Sequence, residues 1–566
     1  MAGKKSGHGA PGAPRVIPGT GPLAGLSRRD FLNGVLIGAS ALATSPLLGA
    51  CEGEEAEAAG VGPGTLPLGH DARELLAIGH AIRDGKGFDA PPASGELYDC
   101  LIVGSGVAGL TAAWRLGKLG VQNFLLLEKE PVGGGHARAA TRGAQRFASG
   151  AAYTVYPFND ALVELYTDLG VVTGLDADDA PVVDPKYVVK GPTNNVYLDG
   201  RWIPDAWDAG MENLPLPQAA LADLLACREA IDVYYNYVGA DDALAFDCPT
   251  DASTTDEEVR RLDTITFAAW VEENGWDPAV TEFFEKYARS ALGMHSDTVS
   301  AWGMLNFLGS EFYPVMTQPG GNAYLADLLT EKIGADKIKP SAFVVKIVEE
   351  AGEVHVTYVE NGRPVTLRAR SAIYAAASHM AQQLIPGLAA AGRTRYTEWK
   401  YTAYLLANVH VSRTPPGLAY DNWVNDECFF TDFVVADWAA LEDPANAPLD
   451  RPNTLTIYAP LPTSSDRGEL LYQPYEFYEE KVLTDLERVL PGVTATITGL
   501  DLFRWGHPIV QPRPGFIFGE ARAAAQAPLG AISFAAADVD GLPAFENAVA
   551  AAYRSVDEAL AVLAPA

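Results

Sequence analysis

Residues 98–103, YDCLIV, form a nearly unbroken apolar run. Glycines follow at 104, 106 and 109, and apolar residues then recur at helical spacing to about residue 119. A second apolar run ends in an acid, Glu128. This succession predicts a strand over 98–103, a glycine turn, a helix over 107–119 and a strand over 124–128, which together make a right-handed βαβ unit. From Ala342 onward apolar and polar residues alternate with a period of two on both sides of Glu360-Asn361-Gly362, predicting antiparallel strands joined at that turn. The blocks 158–315 and 386–495 are less regular and rich in aromatic and acidic residues, with helical segments such as ALVELYTDLG and TITFAAWVEEN. The chain closes on a predicted strand, AISFAAAD, and a long predicted helix from Pro543 to Leu563. Residues 51–95 mix Glu, Ala, Gly and Pro and are expected to form a tether with one short helix around DARELLAIGHAI.

Charge narrows the partners. The 566 residues carry 41 Lys+Arg against 72 Asp+Glu, a formal net charge of −31, which would repel the phosphates of a nucleic acid. The same field would steer a cationic substrate inward. Near the start, Arg28 and Arg29 precede a moderately apolar stretch that Asn33, Ser45 and Pro46 interrupt, so residues 1–50 read as a twin-arginine export signal rather than a membrane span. Leu48-Gly49-Ala50-Cys51 resembles a lipobox. Two outcomes follow: cleavage before a lipidated Cys51, or a plain signal cut near Ala50. The expected location is periplasmic, with membrane contact only through a lipid on Cys51. The later cysteines, Cys100, Cys227, Cys248 and Cys428, show no CxxC or CxxCH spacing and offer no zinc or haem site, so no metal is expected.

Gly104, Gly106 and Gly109 stand as G-x-G-x-x-G between a strand and a helix. The first allows the tight turn, the second lets backbone approach a diphosphate, and the third lets helix and strand pack closely. Ser105, Val107 and Ala108 complete the turn and open the helix, whose free N–H groups favour phosphate. Glu128 is placed to accept hydrogen bonds from the ribose hydroxyls of an adenosine, with Lys129 beside it. A second glycine run ends in Gly134 and Gly135, followed by His136, Ala137 and Arg138. Such a loop would close a second backbone segment over the same diphosphate, as an extended FAD needs and NAD does not.

The segments GSGVAGL, LEKEPVGGGHAR, QPGGNAYLADLL, RWGHPI and ISFAAADVDGLPAFENAVAAAYRS follow the order found in FAD-dependent amine oxidoreductases. The GGHAR form resembles the bacterial spermidine dehydrogenase-like branch. The resemblance implies an α/β fold: a Rossmann-like FAD-binding domain of the amine-oxidase type, from 96–157, 316–385 and 496–566, interleaved with an α+β substrate-binding domain from 158–315 and 386–495. It further implies that Val345 backbone meets the adenine and that Asp538 lies near the ribityl chain and diphosphate, although Ala537 stands where the family more often has glycine. It also implies that residues 544–547, with Phe545 and Glu546, open the last helix toward the flavin N1–C2=O edge.

No second glycine fingerprint offers a nicotinamide site. The substrate itself is therefore expected to supply the hydride to flavin N5. For an amine, aromatic faces can hold the cation. Candidates are Trp399, Tyr401, Tyr404, Trp423 and Trp505, with Trp505 and His507 of RWGHP favoured as catalytic residues and Lys400 as a lysine holding a water near N5. Three readings stand: an exported amine oxidase or dehydrogenase acting on a polyamine-like cation, with oxygen, a quinone or a haem protein as electron acceptor; a desaturase or oxidase of an apolar molecule, of the phytoene desaturase or protoporphyrinogen oxidase kind; and a non-catalytic flavoprotein partner. A chamber lined by aromatics and acids would favour the first, and an aliphatic tunnel the second.

Overall fold

The computed structural model describes residues 69–564, apart from 74–75, 94, 208–209 and 394–398. The export signal, Cys51 and most of the tether lie outside the described residues.

Strand Leu97–Val103, helix Val107–Lys118 and strand Phe124–Leu127 realise the first βαβ unit, with Cys100 to Val103 paired in parallel to Phe124 to Leu127. The sequence supplies its core directly: Cys100, Leu101, Ile102, Leu110, Ala112, Ala113, Leu116 and Leu126 are fully buried. Strand Arg363–Tyr374 then joins Leu97–Val103 in parallel, and Ile532–Phe534 joins its other side. The first half of Arg363–Tyr374 pairs antiparallel with Glu353–Glu360, which pairs with Phe343–Glu350. Asn361 and Gly362 both take positive φ, 48° and 73°, the conformation that a two-residue hairpin turn requires.

A second sheet of eight strands carries the rest, in the order 71–73, 497–510, 401–411, 453–461, 432–435, 421–424, 194–198, 201–204. Helices Gln218–Tyr235, Phe267–Glu273, Ala279–Leu292 and Ala301–Ser310 belong to the other irregular block, with Trp270, Phe284, Tyr287 and Trp302 in one continuous apolar core.

Two sequence expectations change. Strand Ile497–Val510 was grouped with the cofactor-binding segments, but it pairs along its length with Tyr401–Val411 and belongs to the eight-stranded sheet. The cofactor layer resumes only after it. The end of the presumed tether is also part of the fold: Asp71–Arg73 adds a parallel edge strand to Leu502–Arg504, and the short helix runs over Leu76–Arg83. Arg504, buried in the sheet, fixes that edge by a paired bond to both oxygens of Asp71 at 2.8 Å. Among the described residues no helix is long and apolar enough to cross a membrane, and the four described cysteines are free and buried.

Candidate active site

A cavity of about 790 Å³ opens where the strand ends of the first sheet meet the second sheet. That volume is in the range of small-molecule sites. Gly104, Gly106, Val107 and Ala108 line it from the first turn, and Gly135, His136, Ala137 and Arg138 from the second loop. The two glycine loops touch: Gly134 N–H donates to the Ser105 carbonyl at 2.8 Å. A Cβ at Gly135 would stand 2.7 Å from the Gly106 Cα, and one at Gly109 would stand 1.9 Å from the Gly104 carbonyl oxygen. Gly109 therefore packs the helix onto the turn without lining the cavity, and Gly135 lets the second loop close on the first.

Glu128 lines the cavity but is already engaged. One carboxylate oxygen accepts the Ser105 N–H at 2.9 Å and hydroxyl at 2.8 Å, and the other accepts the Glu130 N–H at 2.8 Å. A carboxylate has about four acceptor positions, so roughly one remains for a ribose hydroxyl. Ser105, fully buried, serves the site by holding Glu128. Lys129 lines the cavity and pairs with Glu130 at 3.3 Å. Arg138 is the clearest sign of a missing anion: its guanidinium is 5 % exposed, and two of its nitrogens, Nε and Nη1, find no protein acceptor. Buried donors of this kind are ordinarily paired, and a diphosphate supplies the acceptors. The backbone cradle, the acid at the strand end and this arginine together fit FAD.

Asp538, Phe545 and Ala544 line the cavity as expected. Asp538 accepts the Ser378 N–H at 2.9 Å, the Ser378 hydroxyl at 2.7 Å and the Tyr401 hydroxyl. Burial raises its carboxyl above the usual range, against those bonds. Trp505 and His507 both line the cavity. His507 stacks on His379 at 4.4 Å, and His379 meets Tyr401 edge-on at 4.9 Å. Trp505 meets His136 edge-on at 5.5 Å, and its indole N–H is buried without an acceptor.

Three expected residues lie elsewhere. Lys400 is exposed just before strand Tyr401–Val411 and does not line the cavity, so it cannot hold a water there. Val345 sits where the strand register slips, between Val344 and Lys346, and turns into the core; Phe343 and Val344 line the cavity in its place. Glu546 is rotated away from the cavity, since Phe545 and Ala548, one turn apart, take the facing positions. Both Glu546 oxygens are buried without a partner, and burial pushes its carboxyl well up. Of the aromatic candidates only Tyr401 and Trp505 line this cavity. Trp399 donates to the Asp538 carbonyl at 3.3 Å, and Trp423 stacks on Tyr287 at 3.9 Å.

Sequence reasoning missed His80, Arg83, Ala151, His379 and Arg467, lining residues drawn from segments without a motif, and Asn322, which lies within QPGGNAYLADLL but was given no role. It also missed a second hollow of about 30 Å³, bordered by Tyr153, Asn194, Glu311, Tyr313, Tyr420 and Asp421. The two spaces share a wall: Ala151 and Asn322 line the large cavity, and Asn322 Nδ2 donates to the Tyr153 carbonyl at 2.8 Å. Burial lifts the carboxyl of Asp421 well above the usual range, and the nearby Asp432 and Glu311 charges lift it further. Burial raises Asp432 as well.

The chain matches the family model for flavin-containing amine oxidoreductases over residues 107–560. No curated protein sequence matches it. Among solved structures, putrescine oxidase bound to putrescine is similar at 17% identity and a TM-score of 0.60, covering 82% of this chain and 99% of that one. Cyclohexylamine oxidase from Brevibacterium oxydans IH-35A gives 18% and 0.58, over 83% and 100%. A putative protoporphyrinogen oxidase from Exiguobacterium sp. 255-15 gives 16% and 0.57, over 82% and 98%. The glycine cradle, the two-sheet fold and the family match over most of the length agree: the chain belongs to the flavin-containing amine oxidoreductases and is an FAD-dependent oxidoreductase.

Proposed function

We propose that the enzyme oxidises a polyamine-like cation in the bacterial periplasm, within the spermidine dehydrogenase-like branch of its family. Bound FAD supplies the hydride acceptor, at N5. The carrying observation is the hollow beside the cofactor cavity: tyrosines and carboxylates border it, where an apolar substrate would call for an aliphatic wall. Hydroxyl-bearing aromatic faces and buried acids suit an ammonium group. A structural neighbour seen with putrescine adds weight to the same reading.

Within the large cavity the two favoured residues divide. His507 packs with His379 and Tyr401 against Asp538, and we assign it to the cofactor side. Trp505 lies opposite Tyr404 in the eight-stranded sheet, whose face continues into the acidic hollow, and we assign it to the substrate side.

Anaerobic mixing of the yellow holoenzyme with polyamines, monoamines and a polyene tests the reading. Loss of the oxidised-flavin absorbance with an amine is expected; loss with the polyene and no amine would overturn it in favour of the apolar-substrate reading. The export proposal rests on residues 27–51, which lie outside the described residues. It predicts a mature N-terminus at an acylated Cys51, read by mass spectrometry, and retention in the cytoplasm when Arg28 and Arg29 become lysines.

A further inference from the structure

The segment that the sequence presents as the end of a tether bridges the two sheets beside the cofactor cavity. At one end, Asp71–Arg73 extends the eight-stranded sheet. The His70 N–H donates to Asp501 at 3.1 Å, the Leu502 N–H donates to the His70 carbonyl at 2.8 Å, and Ala72 is buried in the core of that sheet. The buried guanidinium of Arg504 grips both oxygens of Asp71, the strong, paired form of a charged hydrogen bond. At the other end, helix Leu76–Arg83 packs on the first sheet. Ile82 is buried in the core that holds Leu127, Ala342 and Val344, and Ile78, one turn earlier, packs against it.

The neighbouring face of the same helix is cavity wall. Gly79, His80 and Arg83 line the cavity, at the spacing that shares one side of a helix. They stand at the adenosine end. The Ala342 N–H donates to the Glu128 carbonyl at 2.7 Å, and Phe343 and Val344 line the cavity directly after it. Gly79 lies against Phe343, since a Cβ there would stand 3.8 Å from the Phe343 Cζ. The glycine motifs do not include this segment, and the family match begins only at residue 107. Chain ends pack only where they are tied down. This one is tied to both sheets, and the helix that carries the second tie closes the cavity.

We infer that residues 70–73 and 76–83 form a strap that retains FAD, with the Asp71–Arg504 pair and Ile82 as its two clasps. The inference rests on bound FAD and on no particular substrate. The cofactor leaves its adenosine site when the helix lifts from Phe343. In return, FAD held beneath the helix keeps the strap closed, because a ligand that binds one state stabilises that state.

The test is the rate of FAD release from yellow holoenzyme on dilution, followed as the rise in free-flavin fluorescence. The proteins compared are the wild type, Ile82→Asp, Asp71→Asn, the double variant and Leu486→Ala. Leu486 is fully buried on a helix of the eight-stranded sheet's core and lines no part of the cavity, so Leu486→Ala controls for lost stability alone. Ile82→Asp puts a charge into the helix contact and should speed release about 10- to 100-fold. Asp71→Asn keeps part of its bonding and should speed release about 3- to 10-fold, and the double variant should be fastest. Leu486→Ala should change the rate by less than about twofold while lowering the unfolding midpoint. A double variant that holds FAD as long as the wild type does, including no release from any form, would overturn the strap. So would a control that releases FAD as fast as Ile82→Asp. Should Ile82→Asp fail to fold, Asp71→Asn against the same control decides in the same way.

Discussion

One face of the eight-stranded sheet carries three buried acids, and their surroundings are opposite. Asp501 opposes Asn408, four residue pairs along from the Tyr404–Trp505 pair. It is fully buried, and its carboxylate accepts two guanidinium bonds from Arg142, a bond from His410 at 2.7 Å and the His70 N–H at 3.1 Å. Burial alone would raise its pKa; the His410 and Arg142 bonds outweigh burial and hold it low. Asp421 and Asp432, four and three strands away, have burial without cations, and both are raised. The sheet therefore does supply counter-charges where an acid only has to hold structure together. Where it withholds them, burial favours the neutral carboxyl and the pKa rises.

The largest effect should come from breaking the satisfied site. Asp501→Ala leaves the half-buried Arg142 and the buried His410 without their carboxylate and should lower unfolding free energy by about 3–5 kcal/mol, measured by denaturant titration. A loss below about 1 kcal/mol would make the two acid sites alike. Next comes the partly satisfied cation of the cofactor cavity. Arg138→Met removes two donors, Nε and Nη1, that no protein group uses, together with a long 3.9 Å ion pair to Glu128, so it should cost about 10- to 100-fold in FAD affinity, measured by flavin release, with little loss of apoprotein stability.

The unsatisfied acids should behave with the opposite sign from Asp501. Both have folded pKa values above their unfolded ones, so the folded chain binds more protons above about pH 4, and stability falls as pH rises from there through the raised values. At about pH 8, Asp421→Asn should be equal to or about 1–3 kcal/mol more stable than wild type, and near pH 4 the two should coincide. A variant less stable at high pH would mean that the chain itself uses that charge. The smallest effect belongs to Lys400→Ala, an exposed residue outside the cavity, which should shift activity and stability by no more than about 0.5 kcal/mol. A large fall in kcat would return Lys400 to the site.

The cofactor half of the molecule was legible because its rules are local. Gly104, Gly106 and Gly109 must sit within one turn, and Glu128 must end the next strand, so spacing alone carries the message. Legibility faded with distance along the chain. The strand 497–510 reads as apolar wherever it pairs, and nothing within it names the sheet it joins. Val345 and Phe343 are both strand residues, and a one-residue slip decides which of them faces the cavity. Glu546 shares a helix turn with Phe545, and only the rotation of that helix separates them.

The order of strands, glycines and acids by itself determined a dinucleotide-binding α/β layer and a family. It could do so because a diphosphate is held by consecutive backbone N–H groups, which a short motif must encode. Tertiary structure alone decided the acidic hollow. Tyr153, Glu311, Tyr420 and Asp421 come from distant parts of the chain, and none sits in a motif. Whether a buried aspartate is neutralised, as Asp501 is by Arg142, or left unpaired, as Asp421 is, depends on which side chains the fold brings within bonding distance, and charge pairing leaves no periodicity in the sequence.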